Sequence, residues 1–302
     1  MPAPPWPPLP PVEMLPARTL IVPDRGELFV RDSGPTRPPT HPPPATPPNY
    51  PDGPVVMLLH GWVASADLNW CGAYDALTAA GYRVLAIDHR GHGRGLRPLV
   101  PFRLTDCAGD AAAVLRTLGV APAIVVGYSM GGAIAQLMAR DHPDVVSGLV
   151  LSGTAQHWQD PETRRAFKAL GLVGVLLSLA PRWTWRAGLR RVGLGDSPQN
   201  AWVLSEMMRH SVPDLIEAGR ELRRFDSRPW LRPLPIPTAV VLTTKDDAVP
   251  PAKQRDLAAT LGAQVFEAPI KHLDIGSERD VYNPVLLGAL AAVGGREVVA
   301  AA

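Results

Sequence analysis

Along the middle of the chain, short uninterrupted apolar runs alternate with longer stretches of mixed polarity. Val56–Leu59, Tyr82–Ile87, Ala123–Val126 and Ser147–Leu151 are the apolar runs. A strand covered on both faces carries apolar residues continuously, so these read as central strands of a sheet. The intervening stretches read as helices. Ser65–Ala80 has Gly81 just past its end. A second helix is capped by Thr105 and runs through Leu118, and a third spans Met130–Asp141, where Pro143 must end it. This rhythm predicts an α/β fold with a mostly parallel sheet and helices on both faces. It breaks after Leu151 and resumes with a strand at Thr238–Leu242, a helix at Pro250–Leu261 closed by Gly262, a strand at Gln264–Phe266 and a last helix at Pro284–Val293. Upstream, Thr19–Val22 and Glu27–Arg31 read as two strands joined by a turn at Asp24–Gly26.

The expected organisation follows. Residues 1–17 form a proline-rich tail and 18–155 the first part of an α/β core, interrupted by a proline-rich insert at 35–54. Residues 156–235 form a helical cap, and 236–302 complete the core. Repeated proline builds neither helix nor sheet ladder, so the first stretch reads as an irregular tail and the insert as an exposed connection, with a polyproline recognition segment as the alternative.

Composition narrows the function classes. Hydrophobic residues make up 46% of the chain, enough for a large core. Thirty basic residues against 28 acidic ones leave +2, which excludes the basic excess that nucleic acid requires. Cys71 and Cys107 make no disulfide framework and read as small, partly buried thiols. The first residues lack the basic start and apolar run of a secretory signal, and the longest apolar run, Ala169–Ala180, falls short of the ~20 residues that span a bilayer. The expectation is a soluble, cytoplasmic protein.

The strongest chemical signal is Gly127-Tyr128-Ser129-Met130-Gly131, between an apolar strand and a small-residue helix. A serine on that strand-to-helix turn is exposed to a substrate, and glycines two places away let strand and helix approach. The serine sits at a helix N-terminus, where free N–H groups favour negative charge, so the Met130 N–H is a natural oxyanion donor. A serine alcohol needs a base, itself oriented by a third group. Of the later histidines, His157 comes too soon after the Leu151 strand and His210 falls in the cap. His272 follows the last strand, on the sheet edge where catalytic groups gather. For the third group, Asp246 and Asp247 both follow the Thr238–Leu242 strand. The loop after the first core strand, His60-Gly61-Trp62, offers the Trp62 N–H as a second oxyanion donor, with His60 as a structural hydrogen-bonder.

These segments, with Asp88–Gly95 and Lys245–Pro250, resemble the α/β-hydrolase superfamily in order and spacing, over roughly Arg18 to Val293 apart from the proline-rich insert and the cap. The resemblance implies the α/β-hydrolase fold, a Ser129–Asp246–His272 triad and an oxyanion hole from Trp62 and Met130. The family's acid precedes a pattern ending in Val-Pro, which selects Asp246 over Asp247. Thr243 stands where a glycine is common, and Lys271 where a glycine often precedes the histidine. Asp88–Gly95 matches the family's fourth-strand turn rather than a nucleotide loop, so no cofactor and no metal are implied.

The cap's apolar run is followed by Arg182, Trp183, Trp185, Arg186, Arg190 and Arg191. An acyl channel with a rim that meets lipid is one reading. The expectation adopted is a cap packed on the core, its arginines in water, with Leu172, Val175 and Leu176 lining an apolar pocket floored by Trp62 and Met130. The expected activity is hydrolysis of a carboxylic ester, or of a close acyl derivative, of an apolar small molecule through an acyl-Ser129 intermediate. The alternatives are a cofactor-free perhydrolase resembling the haloperoxidases of the superfamily, or a ligand-binding receptor on the same scaffold.

Overall fold

A computed structural model describes residues 9–34, 53–160 and 170–295. The proline-rich insert expected at 35–54 thus lies almost wholly outside the described residues, as do Met1–Pro8 of the tail. Eight strands form one sheet: β1 (Ala17–Val22), β2 (Gly26–Asp32), β3 (Val55–Leu59), β4 (Arg83–Ile87), β5 (Ala123–Tyr128), β6 (Val146–Ser152), β7 (Thr238–Thr243) and β8 (Gln264–Ala268). Their order is β1-β2-β4-β3-β5-β6-β7-β8. The β1–β2 and β2–β4 pairs are antiparallel and the rest are parallel.

The continuous apolar runs have the burial they imply. All five residues of β3 are buried, and they alternate between two cores. Val55, Met57 and Leu59 face one apolar cluster, while Val56 and Leu58 face the other. The first cluster is covered by helices α2 (Leu104–Thr117) and α3 (Met130–Asp141), the second by α1 (Ala66–Ala79) and a final helix, α9 (Arg279–Gly294). Both cysteines are buried free thiols.

Between β6 and β7 the described chain forms α4 (Leu170–Leu179), α5 (Pro181–Arg191), α6 (Pro198–Met207) and α7 (Val212–Arg224); α8 (Pro251–Leu261) follows β7. Helices α6 and α7 are tied to the core. Arg94 makes two hydrogen bonds to the buried Glu206 carboxylate, at 2.9 and 2.7 Å, and Ser211 N donates to Gly91 O at 2.8 Å.

Two boundaries differ from expectation. Thr105 does not cap α2. The helix begins at Leu104 with Arg103 in the cap position, because Leu104 is buried in the first core cluster while Thr105 stays exposed. The last helix starts at Arg279, not at Pro284, and carries that proline inside it. Tyr282, in the added turn, is fully buried and donates to Ser152 Oγ at 2.9 Å, which offsets the hydrogen bond proline cannot make.

Candidate active site

Ser129 lies at the sharp turn between β5 and α3 with φ 54° and ψ −116°, a left-handed conformation rare for a side-chain-bearing residue. The turn is held from both sides: Ser129 N donates to Ser152 O at 3.0 Å, and Thr154 Oγ1 donates to Ser129 O at 2.7 Å. The neighbouring glycines are required by contact. A Cβ on Gly127 would stand 2.3 Å from Gly131 O, and one on Gly131 would stand 2.1 Å from Leu59 O.

The turn carries the serine to the carboxyl end of the sheet, where the loops after β7 and β8 bring two further groups. Ser129 Oγ donates to His272 Nε2 at 3.0 Å, and His272 Nδ1 donates to Asp246 Oδ2 at 2.7 Å. The nearby carboxylate fixes the Nδ1-protonated tautomer and leaves Nε2 to accept the serine proton. All three side chains are buried, whereas Asp247 is exposed. Lys271 points outward beside the buried His272.

Support for this array comes from residues that sequence reasoning did not place there. Asp246 Oδ1 accepts the Ala248 and Val249 N–H groups at 2.9 and 2.7 Å. Its Oδ2 also accepts the Thr243 hydroxyl at 2.6 Å, and Gln254 Nε2 donates to Thr243 Oγ1 at 2.9 Å. A hydrogen-bonded chain therefore runs Gln254–Thr243–Asp246–His272–Ser129. Tyr128, one residue before the serine, donates its hydroxyl to the His272 carbonyl at 2.6 Å. Thr243 was visible only as a departure from glycine, and Gln254, on the next helix, left no local signal.

The loop after β3 lies alongside the serine, since a Cβ on Gly61 would stand 3.3 Å from Ser129 Cβ. Asn69 Oδ1 accepts the Gly61 N–H at 2.8 Å, and the Trp62 indole N–H donates to Leu215 O of α7 at 2.9 Å. Met130 opens α3, where backbone N–H groups lack intrahelical acceptors. His60 is a hydrogen-bonder: Nδ1 bonds Gly61 O at 2.8 Å and Nε2 accepts the His89 N–H at 2.9 Å. His157 and His210 lie elsewhere, His157 in a bridge with Asp226 and His210 accepting the Gly93 N–H at 2.9 Å. In the Asp88–Gly95 turn, the Asp88 carboxylate binds the chain itself, accepting Ala66 N and Arg94 N, each at 2.7 Å.

The expected pocket lining is not found. Leu172, Val175 and Leu176 are 67%, 54% and 39% exposed, on the outer face of α4. That helix instead turns Gly174 and Leu177 inward, because the missing side chain at 174 lets α4 close on Ile216 of α7. The Met130 side chain cannot floor a pocket either, since it is fully buried in the first core cluster.

Comparison with known proteins places this geometry. Epoxide hydrolase B of Mycobacterium tuberculosis is 42% identical over 100 residues, 32% of this chain and 28% of that protein, so the chain spans little more than a quarter of that relative's length. A non-heme haloperoxidase of Rhodococcus erythropolis is 29% identical over 255 residues, covering 79% of this chain and 85% of that protein. The solved esterase of Exiguobacterium antarcticum shares the fold, with a TM-score of 0.72 at 22% identity over 89% of this chain and 97% of that one. The model of the alpha/beta hydrolase fold matches residues 54–274, more than half of the chain and a span that includes the whole Ser129–His272–Asp246 array, and the protein therefore belongs to the α/β-hydrolase fold family.

Proposed function

We propose that this protein is a serine hydrolase that cleaves a carboxylic ester of an apolar small molecule through an acyl-Ser129 intermediate. The observation that carries this reading is the relay from Ser129 Oγ through His272 to Asp246, with the serine on a strained turn at a helix N-terminus. Ser129 Oγ attacks the ester carbonyl carbon as its proton passes to His272 Nε2. Asp246 holds the imidazole and stabilises the imidazolium that forms. We assign the backbone N–H groups of Met130 and Trp62 to the developing oxyanion. The tetrahedral adduct collapses, the C–O bond to the alcohol breaks, and His272 returns the proton to the leaving oxygen. Water then attacks the acyl-serine with His272 as base, releasing the acid and restoring Ser129.

Epoxide opening does not suit this nucleophile. Attack of a serine oxygen on an epoxide carbon gives an ether, which has no carbonyl for water to attack, so the enzyme would not turn over. A second reading is favoured by the haloperoxidase relative, which matches most of this chain. Hydrogen peroxide would replace water as acyl acceptor, giving a peracid with the same machinery. The test is a panel of esters of rising acyl length, with and without peroxide, alongside labelling by a fluorophosphonate. Label on Ser129, lost in Ser129→Ala, is the expected result, and label that persists in that variant rejects the assignment. Peracid formed faster than acid at equal nucleophile concentration selects the second reading.

A further inference from the structure

The side chains expected to line a pocket stand outside instead, and they form a surface of their own. Leu172, Val175, Leu176 and Leu179 recur at three- and four-residue spacing along the outer face of α4, and Trp183 is exposed at the start of α5, which follows directly. Leu179 and Trp183 are 79% and 57% exposed. The face is fixed outward, because Gly174 closes against Ile216 and Leu177 is buried beneath. The two helices are joined at their corner by Thr184 Oγ1, which donates to Leu176 O at 3.0 Å. Scattered exposed apolar residues need no explanation, but a contiguous patch on one helix hairpin marks a contact surface.

Charge identifies the partner. From Gly171 to Gly195 the sequence has four arginines, Arg182, Arg186, Arg190 and Arg191, and no acidic residue. The next acid, Asp196, meets Arg186 at 3.0 Å and Arg190 at 2.9 Å in exposed pairs that contribute little. On α5, Trp183, Ala187, Arg190 and Arg191 are exposed while Leu189 is buried, so the tryptophan and the outermost arginines share the solvent face. An apolar face with an exposed tryptophan and a basic flank is the pattern of a helix lying in a membrane interface. No helix among the described residues is long and apolar enough to cross a membrane. A second copy of the chain would set these arginines against one another across a symmetric contact, and nucleic acid would leave the leucines uncovered. We propose that the α4–α5 hairpin docks in the plane of an anionic phospholipid surface, its leucines and Trp183 entering the acyl boundary and its arginines meeting lipid phosphates.

The test is sedimentation of the full chain with vesicles of phosphatidylglycerol or of phosphatidylcholine, across a salt series. Binding to phosphatidylglycerol at low salt, weakening as salt rises, is expected. Arg190→Gln combined with Arg191→Gln should weaken it about 30-fold, near fivefold per basic group at the surface. Leu179→Ser combined with Trp183→Ala should weaken it about tenfold or more, with the melting temperature unchanged. The salt series uses the unaltered chain, so it reads out even where a variant misfolds. A cooperatively melting chain that sediments with neither vesicle overturns the proposal, and so does equal binding to both. A concentration-dependent dimer dissociated by Leu179→Ser makes a second copy the occupant and overturns it as well.

Discussion

Thr243 and Gln254 extend the hydrogen-bonded line behind His272, and their role is open to direct measurement. The Thr243 hydroxyl reaches the same Asp246 oxygen that accepts from His272, at 2.6 Å against 2.7 Å. Removing it frees that carboxylate oxygen to move while leaving the charge in place. Thr243→Val should therefore lower kcat about tenfold with little change in KM, and Thr243→Ser should restore it. Neutralising the carboxylate itself should cost far more. Asp246→Asn should lower kcat on the order of 10⁴-fold, whereas Asp247→Asn, on an exposed side chain, should leave it within about twofold. The reverse ranking in ester turnover would assign the acid to Asp247. Ser129 could be read from the sequence because its chemistry and its backbone demands lie within five consecutive residues. Gln254 could not, because it meets Asp246 and Thr243 only after β7 and α8 have packed.

At the scale of elements, the β4–α2 connection and the α6–α7 corner meet through buried histidines. The rings of His60 and His89 are 4.3 Å apart, His60 and His92 5.3 Å, and His92 and His210 5.6 Å. Burial pushes His89 down to about 3, assisted by His92, and His210 down to about 4, assisted by Arg97. Burial also holds His60 and His92 well below the ordinary histidine value. The unfolded chain thus takes up protons near pH 6.5 that the folded chain refuses until far lower. The stability from these neutral rings is complete above about pH 6.5 and is lost as pH falls toward 4. Asp88 acts in the opposite direction, since burial raises it to about 6 and the fold favours its neutral form, but it is one group against several histidines. The melting temperature should fall by roughly 10 °C between pH 7 and pH 4, and His210→Gln, which keeps an acceptor for Gly93 N, should make the decline shallower. A melting temperature that rises on acidification would contradict this balance. The strands and most helix limits were legible because continuous apolar runs and Gly262 as a stop are local signals. The sidedness of α4 was not, because a helix apolar all round carries no stripe to say which face turns inward. The early start of α9 was hidden for a related reason: Tyr282 gains its partner only from β6.

On the scale of the whole molecule, α6 and α7 carry several polar ties to the core. Beyond Arg94–Glu206 and Ser211–Gly91, they include Phe102 N donating to Glu217 Oε2 at 2.7 Å and Trp62 Nε1 donating to Leu215 O. Glu206→Gln removes the charge that Arg94 neutralises in a buried site, while Arg94 keeps Asp67 at 3.4 Å. The expected loss is about 2 kcal/mol, and limited proteolysis should cut between residues 170 and 195 before it cuts the sheet. Cleavage that begins in the sheet instead would show that these ties do not govern how the helices detach. The pairing of β6 with β7 has a wider consequence. The chain leaves the sheet after Ser152 and re-enters it at Thr238 on the adjacent strand, in register Leu149 with Thr238 and Ser152 with Val241. Everything between is a detour whose two ends are pinned side by side. Ser129 lies before the detour and Asp246 and His272 after it, so their spacing is set by the sheet and not by the length of chain between them. Two fragments parted within the detour should therefore carry complementary halves of one reactive centre, with the facing edges of β6 and β7, rather than a continuous backbone, as the route to their reunion.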